Sequence, residues 1–178
     1  MTISVGDKMP TGAFGVMTDA GPGALSTDEL FAGKKVVLVS VPGAFTPTCS
    51  MNHLPGFVEN AAQLKARGVD TIACMAVNDV FVMDAWGKDR GVGDDVVLLA
   101  DGNGEYAKAL GLEMDGTAFG MGMRGQRFAL VVDDGVVTHV GVEAPGQFEV
   151  SKAETILAAL ESLVCFRKAA LSSRPPFL

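Results

Sequence analysis

Cys49 follows Thr46 by three residues and Pro42 by seven, inside the segment PGAFTPTCSMNHLPG (residues 42–56), and His53 follows Cys49 by four. A cysteine so placed can act as a sulfur nucleophile if it is held as thiolate. The apolar run KVVLVSV (residues 35–41) reads as a strand and the residues after Pro47 as a helix, which puts Cys49 in the helix's opening turn. Unpaired N–H groups and the positive end of the helix dipole favour a charged sulfur there. That contribution is about 0.3–1 kcal/mol, or about 2 when partly buried. Making an ordinary thiol mostly ionised at neutral pH takes about 2.7 kcal/mol. A helix end falls short, so a cation is required beside the sulfur. The Thr46 hydroxyl can bond the sulfur or whatever the sulfur attacks.

Arg127 is the first candidate cation. It heads the apolar run FALVV (residues 128–132), where a purely structural pattern would put no charge, and its planar fork can hold a sulfur and a substrate oxygen together. Arg124, in the glycine-rich segment before it, is the rival. Pro42 fixes the backbone ahead of the cysteine loop and can shield the sulfur from water. His53 shares a helix face with Cys49, as a hydrogen-bonded structural histidine or as a general base. Cys74 lies in the strand-like run TIACMAV (residues 71–77), as a core residue or as a thiol that resolves an oxidised Cys49. Helical spacing at about 100° per residue turns Cys165 away from the stripe of Ile156, Leu160 and Leu163, as an exposed free thiol. Gly120, Gly122 and Gly125 match a dinucleotide-binding spacing, but they lead into a strand instead of opening a helix, so nucleotide binding is not implied.

These residues are carried by alternating strands and helices, the pattern of an α/β fold with a largely parallel sheet. Strands are expected at residues 11–18, 36–41, 69–77, 96–100 and 127–132, the last forming a hairpin with 136–140 through an Asp134-Gly135 turn. Residues 19–23 read as a turn and 26–31 as a short helical turn. Helices are expected at 47–67, interrupted at Pro55 and Gly56, at 80–89 behind an Asn78-Asp79 cap, and at 105–110. The glycine-rich residues 111–126 read as a long loop. A capping box of Ser151 and Glu154 opens a last helix to Phe166, followed by a tail over 167–178. The expectation is one domain over residues 1–166.

The 178 residues carry a net charge of −7, which disfavours nucleic acid and anionic membranes as partners. Three widely spaced cysteines and two histidines make a poor disulfide framework and a poor zinc site. Reduced thiols in a cytoplasmic protein are the expectation. The amino terminus lacks a basic segment followed by an apolar one, so a secretory signal is not expected.

The signature Pro42-x-x-x-Thr46-x-x-Cys49 resembles the active-site motif of the peroxiredoxins, and residues 42–56 as a whole resemble the peroxiredoxin-five-like subgroup, called type II in plants. Segments 77–86 and 127–135 are similar to the same subgroup, in register from about residue 3 to 163. The resemblance implies a thioredoxin-like fold, with a central mixed sheet flanked by helices, and reduction of hydrogen peroxide and alkyl hydroperoxides through a cysteine sulfenic acid. It carries Cys49 over as the attacking cysteine, Thr46 and Arg127 as polarising groups and Pro42 as the shield. Arg127 is preferred to Arg124 because it directly precedes the FALVV strand. Some subgroup members have a second cysteine 25 residues after the first, the spacing of Cys74. Glutathione with glutaredoxin, or thioredoxin, is implied as reductant, with no metal, haem or nucleotide cofactor. Pairing through loops near the site implies a homodimer, with Phe45 and Trp86 near the contact. The competing reading is a redox-sensing module that signals peroxide to a protein partner.

Overall fold

The computed structural model describes the backbone of residues 1–172 and the side chains of residues 1–163. A hairpin of β1 (Ala13–Thr18) and β2 (Gly21–Ser26) leads through α1 (Thr27–Phe31) to β3 (Lys35–Ser40). A π-helical turn, Cys49–His53, opens a helical stretch continued by α2 (Leu54–Glu59) and α3 (Ala61–Ala66). Then come β4 (Thr71–Ala76), α4 (Val80–Asp89), β5 (Val97–Ala100) and α5 (Glu105–Ala109). A short ribbon of β6 (Glu113–Asp115) and β7 (Met123–Gly125) precedes the hairpin β8 (Phe128–Asp133) and β9 (Val136–Val142), and α6 (Ala153–Ser172) follows.

The main sheet has seven strands in the order β2-β1-β5-β4-β3-β8-β9. β5, β4 and β3 are parallel neighbours, and all other pairings are antiparallel. The expected largely parallel sheet is thus corrected to a mixed one. Parallel neighbours need helical crossovers, which this chain has only at its centre, whereas the hairpins at both ends can add only antiparallel strands. It is the thioredoxin-like arrangement that the resemblance implied.

Because β3 is buried on both faces, it reads as a continuous apolar run. Val37 and Val39 face Phe57, Leu64, Trp86, Ile156 and Leu160. Val36 and Leu38 face Phe14, Leu30, Phe31, Tyr106 and Leu110 on the other side. Each such side chain contributes about 1.5–3 kcal/mol when fully buried. Two apolar layers therefore clamp the central strands, and the loop leaving β3 starts from a strand buried on both faces.

Several local expectations change. Residues 21–26 form an edge strand, a place where Gly21, Pro22 and Gly23 are tolerated because one side of the strand needs no partner. The helix after Cys49 breaks at Asn60 and not at Pro55 and Gly56; Pro55 sits in the first turn of α2, where a missing N–H costs nothing. Residues 111–126 hold the ribbon β6–β7 where a loop is expected. Ser151 does not cap the last helix: α6 starts at Ala153, which puts Lys152 at the cap position, and the Ser151 hydroxyl donates to Glu143 instead. That helix runs past Phe166 to Ser172; residues 173–178 of the expected tail, and the side chain of Cys165, lie outside what is described. The Asp134-Gly135 turn is as expected, with both residues at positive φ (48° and 76°), the geometry of a type I′ hairpin.

Candidate active site

Residues 41–48 carry the chain from the end of β3 to the π-helical turn. Val41 donates its N–H to the Met75 carbonyl, Thr46 Oγ1 donates to the Gly43 carbonyl at 2.7 Å, and Ala44 N donates to Asn78 Oδ1 at 2.9 Å. Phe45 is held at φ +62°, a left-handed conformation that costs a non-glycine residue about 1–2 kcal/mol. The loop is pinned at three points and strained at one. Cys49 begins the wide turn, whose closing bond runs from Leu54 N to the Cys49 carbonyl. Pro55 follows directly and brings no N–H to the ladder.

Cys49 has no exposed surface, and its sulfur accepts a hydrogen bond from Arg127 Nη2 at 3.2 Å. Arg127 Nη1 donates to His53 Nδ1 at 2.9 Å. One guanidinium thus bridges two side chains of the same turn, and the required cation is Arg127. The ring of Phe148 lies 5.8 Å from its Cζ, which adds a cation–π contact. Arg124 is placed elsewhere: Nε donates to the Met121 carbonyl and Nη1 to the Val77 carbonyl. It ties loops together and leaves the sulfur to Arg127.

The bonding of His53 fixes its protonation. A guanidinium only donates, so Nδ1 must accept. Nε2 lies 2.9 Å from the Ser151 carbonyl, which only accepts, so Nε2 carries the hydrogen. The ring is the neutral Nε2–H tautomer with both nitrogens engaged. Burial, and next the positive charge of Arg127, push His53 down to about 4. With its lone pair spent on Arg127, His53 holds the arginine and is not a general base.

Glu143 and Ser151 complete the arrangement; the sequence does not point to Glu143, and it points to Ser151 only as a helix cap. Glu143 Oε1 accepts from Glu149 N at 2.7 Å and from Ser151 N and Oγ, both at 2.8 Å. These bonds outweigh its burial and hold the carboxyl below the usual range. The turn they clamp packs tightly on β9: a Cβ added at Gly141 would sit 2.4 Å from the Val150 carbonyl oxygen. The available signal was a carboxylate just past an apolar strand, opposite Arg127.

Beside Arg127 opens a cavity of about 590 Å³, walled by Pro42, Thr48, Met114, Pro145 and Phe148 among others. Pro42 and Arg127 therefore meet at its wall. Thr46 gives its hydrogen to Gly43, so what it offers a ligand is an oxygen lone pair. Cys74 lies in β4, buried in the same apolar cluster as Cys49. Burial first, and the nearby Cys49 next, push its thiol up. Trp86 does not reach the surface: it is fully buried in α4, and Nε1 donates to Ser50 Oγ at 2.9 Å.

The Redoxin family model matches residues 4–157. Peroxiredoxin-2B of Arabidopsis thaliana is 52% identical over 159 residues, covering 89% of this chain and 98% of the relative. Among solved structures, reduced Prx3 of Vibrio vulnificus in complex with hydrogen peroxide is 55% identical with a TM-score of 0.86, covering 89% of this chain and 99% of that one. Peroxiredoxin 5 of Alvinella pompejana is 34% identical with a TM-score of 0.80, over 90% of this chain and 99% of that one. The chain belongs to the redoxin family and, within it, to the peroxiredoxins.

Proposed function

We infer that the protein is a thiol-dependent peroxidase in which Cys49 is the attacking sulfur. The observation that carries this reading is the guanidinium shared by Cys49 and His53. It places a fixed positive charge on a buried sulfur, and among the described residues no carboxylate pairs with it. As Cys49 attacks one peroxide oxygen, an S–O bond forms and the O–O bond breaks. The departing oxygen takes a proton and leaves as water or an alcohol, and the cysteine is oxidised to sulfenic acid. Negative charge moves from sulfur toward the departing oxygen, and Arg127 is preorganised to stabilise it. The Thr46 oxygen accepts the peroxide O–H, and Pro42 keeps water from the sulfur.

Regeneration needs two electrons. We propose that glutathione with glutaredoxin, or thioredoxin, supplies them in a reducing cytosol. The first thiol displaces the sulfenic oxygen as water to give a mixed disulfide, and a second thiol frees Cys49. Hydrogen peroxide and alkyl hydroperoxides are the proposed substrates. Steady-state peroxide consumption with each reductant is the test. Turnover that ends after one equivalent with every thiol would identify a sensor instead of an enzyme.

A homodimer is part of the same proposal. The 41–48 loop, the start of α4 and the β6–β7 region meet through the Ala44–Asn78 and Arg124–Val77 bonds. Phe45, Phe81, Phe119 and Met123 are all exposed from these segments. Burying this apolar edge against a second copy explains why a strained Phe45 is held outward. Light scattering that found only an 18.5 kDa species at micromolar concentration would count against it.

A further inference from the structure

We propose that Glu143 is a positioning residue that sets Arg127 on Cys49 from both ends of the arginine. Its backbone N–H donates to the Arg127 carbonyl at 3.0 Å, continuing the β8–β9 ladder, and so places the arginine's main chain. Its side chain acts at the other end through two intermediaries. Oε1 gathers the Glu149 N–H, the Ser151 N–H and the Ser151 hydroxyl, which fixes the turn. The Ser151 carbonyl then receives His53 Nε2–H, and His53 Nδ1 receives Arg127 Nη1–H. The path from carboxylate to sulfur consists of consecutive hydrogen bonds between half-buried or buried groups.

The carboxylate makes no ion pair with Arg127 itself. Three donors occupy Oε1, so the negative charge is satisfied locally and does not cancel the positive charge meant for the sulfur. Of the other charged groups near this turn, Lys152 and Glu149 pair with each other at 3.0 Å, and Glu59, Glu113 and Glu154 line the adjoining grooves. The close approach of Val150 to Gly141 leaves the turn no slack to re-form by another route. The same clamp sets Phe148, whose ring lies 5.0 Å from that of His53.

This inference rests on Cys49 and Arg127 performing the peroxide step, and its test is a double-mutant cycle. Glu143→Ala is expected to lower kcat/KM for peroxide about tenfold and to reduce the thiolate absorbance at neutral pH, and Glu143→Gln, which keeps an acceptor oxygen, about threefold. KM for the thiol reductant should not change. In a His53→Ala background the Glu143→Ala penalty should shrink below about twofold, because the path is already cut. Equal penalties in both backgrounds, or an unchanged peroxide rate in a folded Glu143→Ala protein, would overturn the proposal. If Glu143→Ala does not fold, Glu143→Gln and Ser151→Ala enter the same cycle with the same criterion. Loss of all activity on Cys49→Ser alone tests the peroxidase reading, so the two failures are distinguishable.

Discussion

Cys49 and Cys74 are packed into one apolar cluster, with 0% and 1% exposure, on the same face of the sheet. The turn that holds Cys49 gives its sulfur a guanidinium N–H at 3.2 Å and is a π-helical turn that ends two residues before Pro55. The strand that holds Cys74 sets it between Val39 of β3 and Leu98 of β5, and burial there favours the neutral thiol. Burial is thus common to both and cannot be what distinguishes a proposed nucleophile from a filler. The difference is the element. A turn at the end of a strand can bring a cation onto the sulfur, whereas a central strand surrounds a side chain with its apolar neighbours.

The comparison breaks first at the cysteines themselves. Cys49→Ser should abolish turnover, a loss of at least about 10³-fold. Cys74→Ala should keep activity with glutathione and glutaredoxin within about twofold; alanine is the better probe because a serine hydroxyl would be buried unpaired. Peptide mapping after peroxide treatment gives the opposing outcome: a dominant Cys49–Cys74 disulfide would make Cys74 the resolving residue.

The two arginines sharpen the same contrast. Arg127→Lys keeps the charge but cannot reach Cys49 and His53 together, so kcat/KM for peroxide should fall about 10²-fold. Arg124→Lys loosens the loops around Val77 and Met121, and the peroxide step should change less than about threefold. Equal losses would mean that charge near the site, and not the bridge, is what matters.

His53 supplies a pH dependence. Its value of about 4 in the folded protein lies below the ordinary 6.5, so the folded state binds fewer protons in between. Its contribution is therefore full above pH 6.5 and is lost as pH falls toward 4, amounting to roughly 3 kcal/mol. Urea unfolding of the wild type should show this loss and His53→Gln should not; parallel slopes would assign the effect to another group. A smaller effect is expected from Gly141→Ala, which drives a methyl into the Val150 carbonyl. It should cost about 1–3 kcal/mol in a thermal melt, with the peroxide rate down severalfold as Ser151 shifts.

Much of this is legible in the chain before folding. Pro42, Thr46 and Cys49 lie within eight residues, and Arg127 stands out as a charge heading an apolar strand. The i, i+4 spacing of Cys49 and His53 correctly puts both on one face. Glu143 and Ser151 are not legible, because their contact depends on a loop closing against Gly141, and the Ser151-x-x-Glu154 pattern points instead to a helix cap that does not form. The edge strand at residues 21–26 hides for a related reason: glycine and proline mark a turn unless the strand is known to be outermost. Trp86 shows the same limit, since a helix pattern alone did not reveal that its indole turns inward onto Ser50.

That inward indole is the chain's one tryptophan, and the residue it bonds adjoins Cys49. Its emission therefore comes from a single, dry, hydrogen-bonded site on the wall of the Cys49–His53 turn. Any step that unwinds Cys49–His53 must part Nε1 from Ser50 Oγ and admit water to the ring, changing the fluorescence at that moment. The protein carries an optical gauge of the turn that holds Cys49, with no label needed and no second tryptophan to confuse the signal.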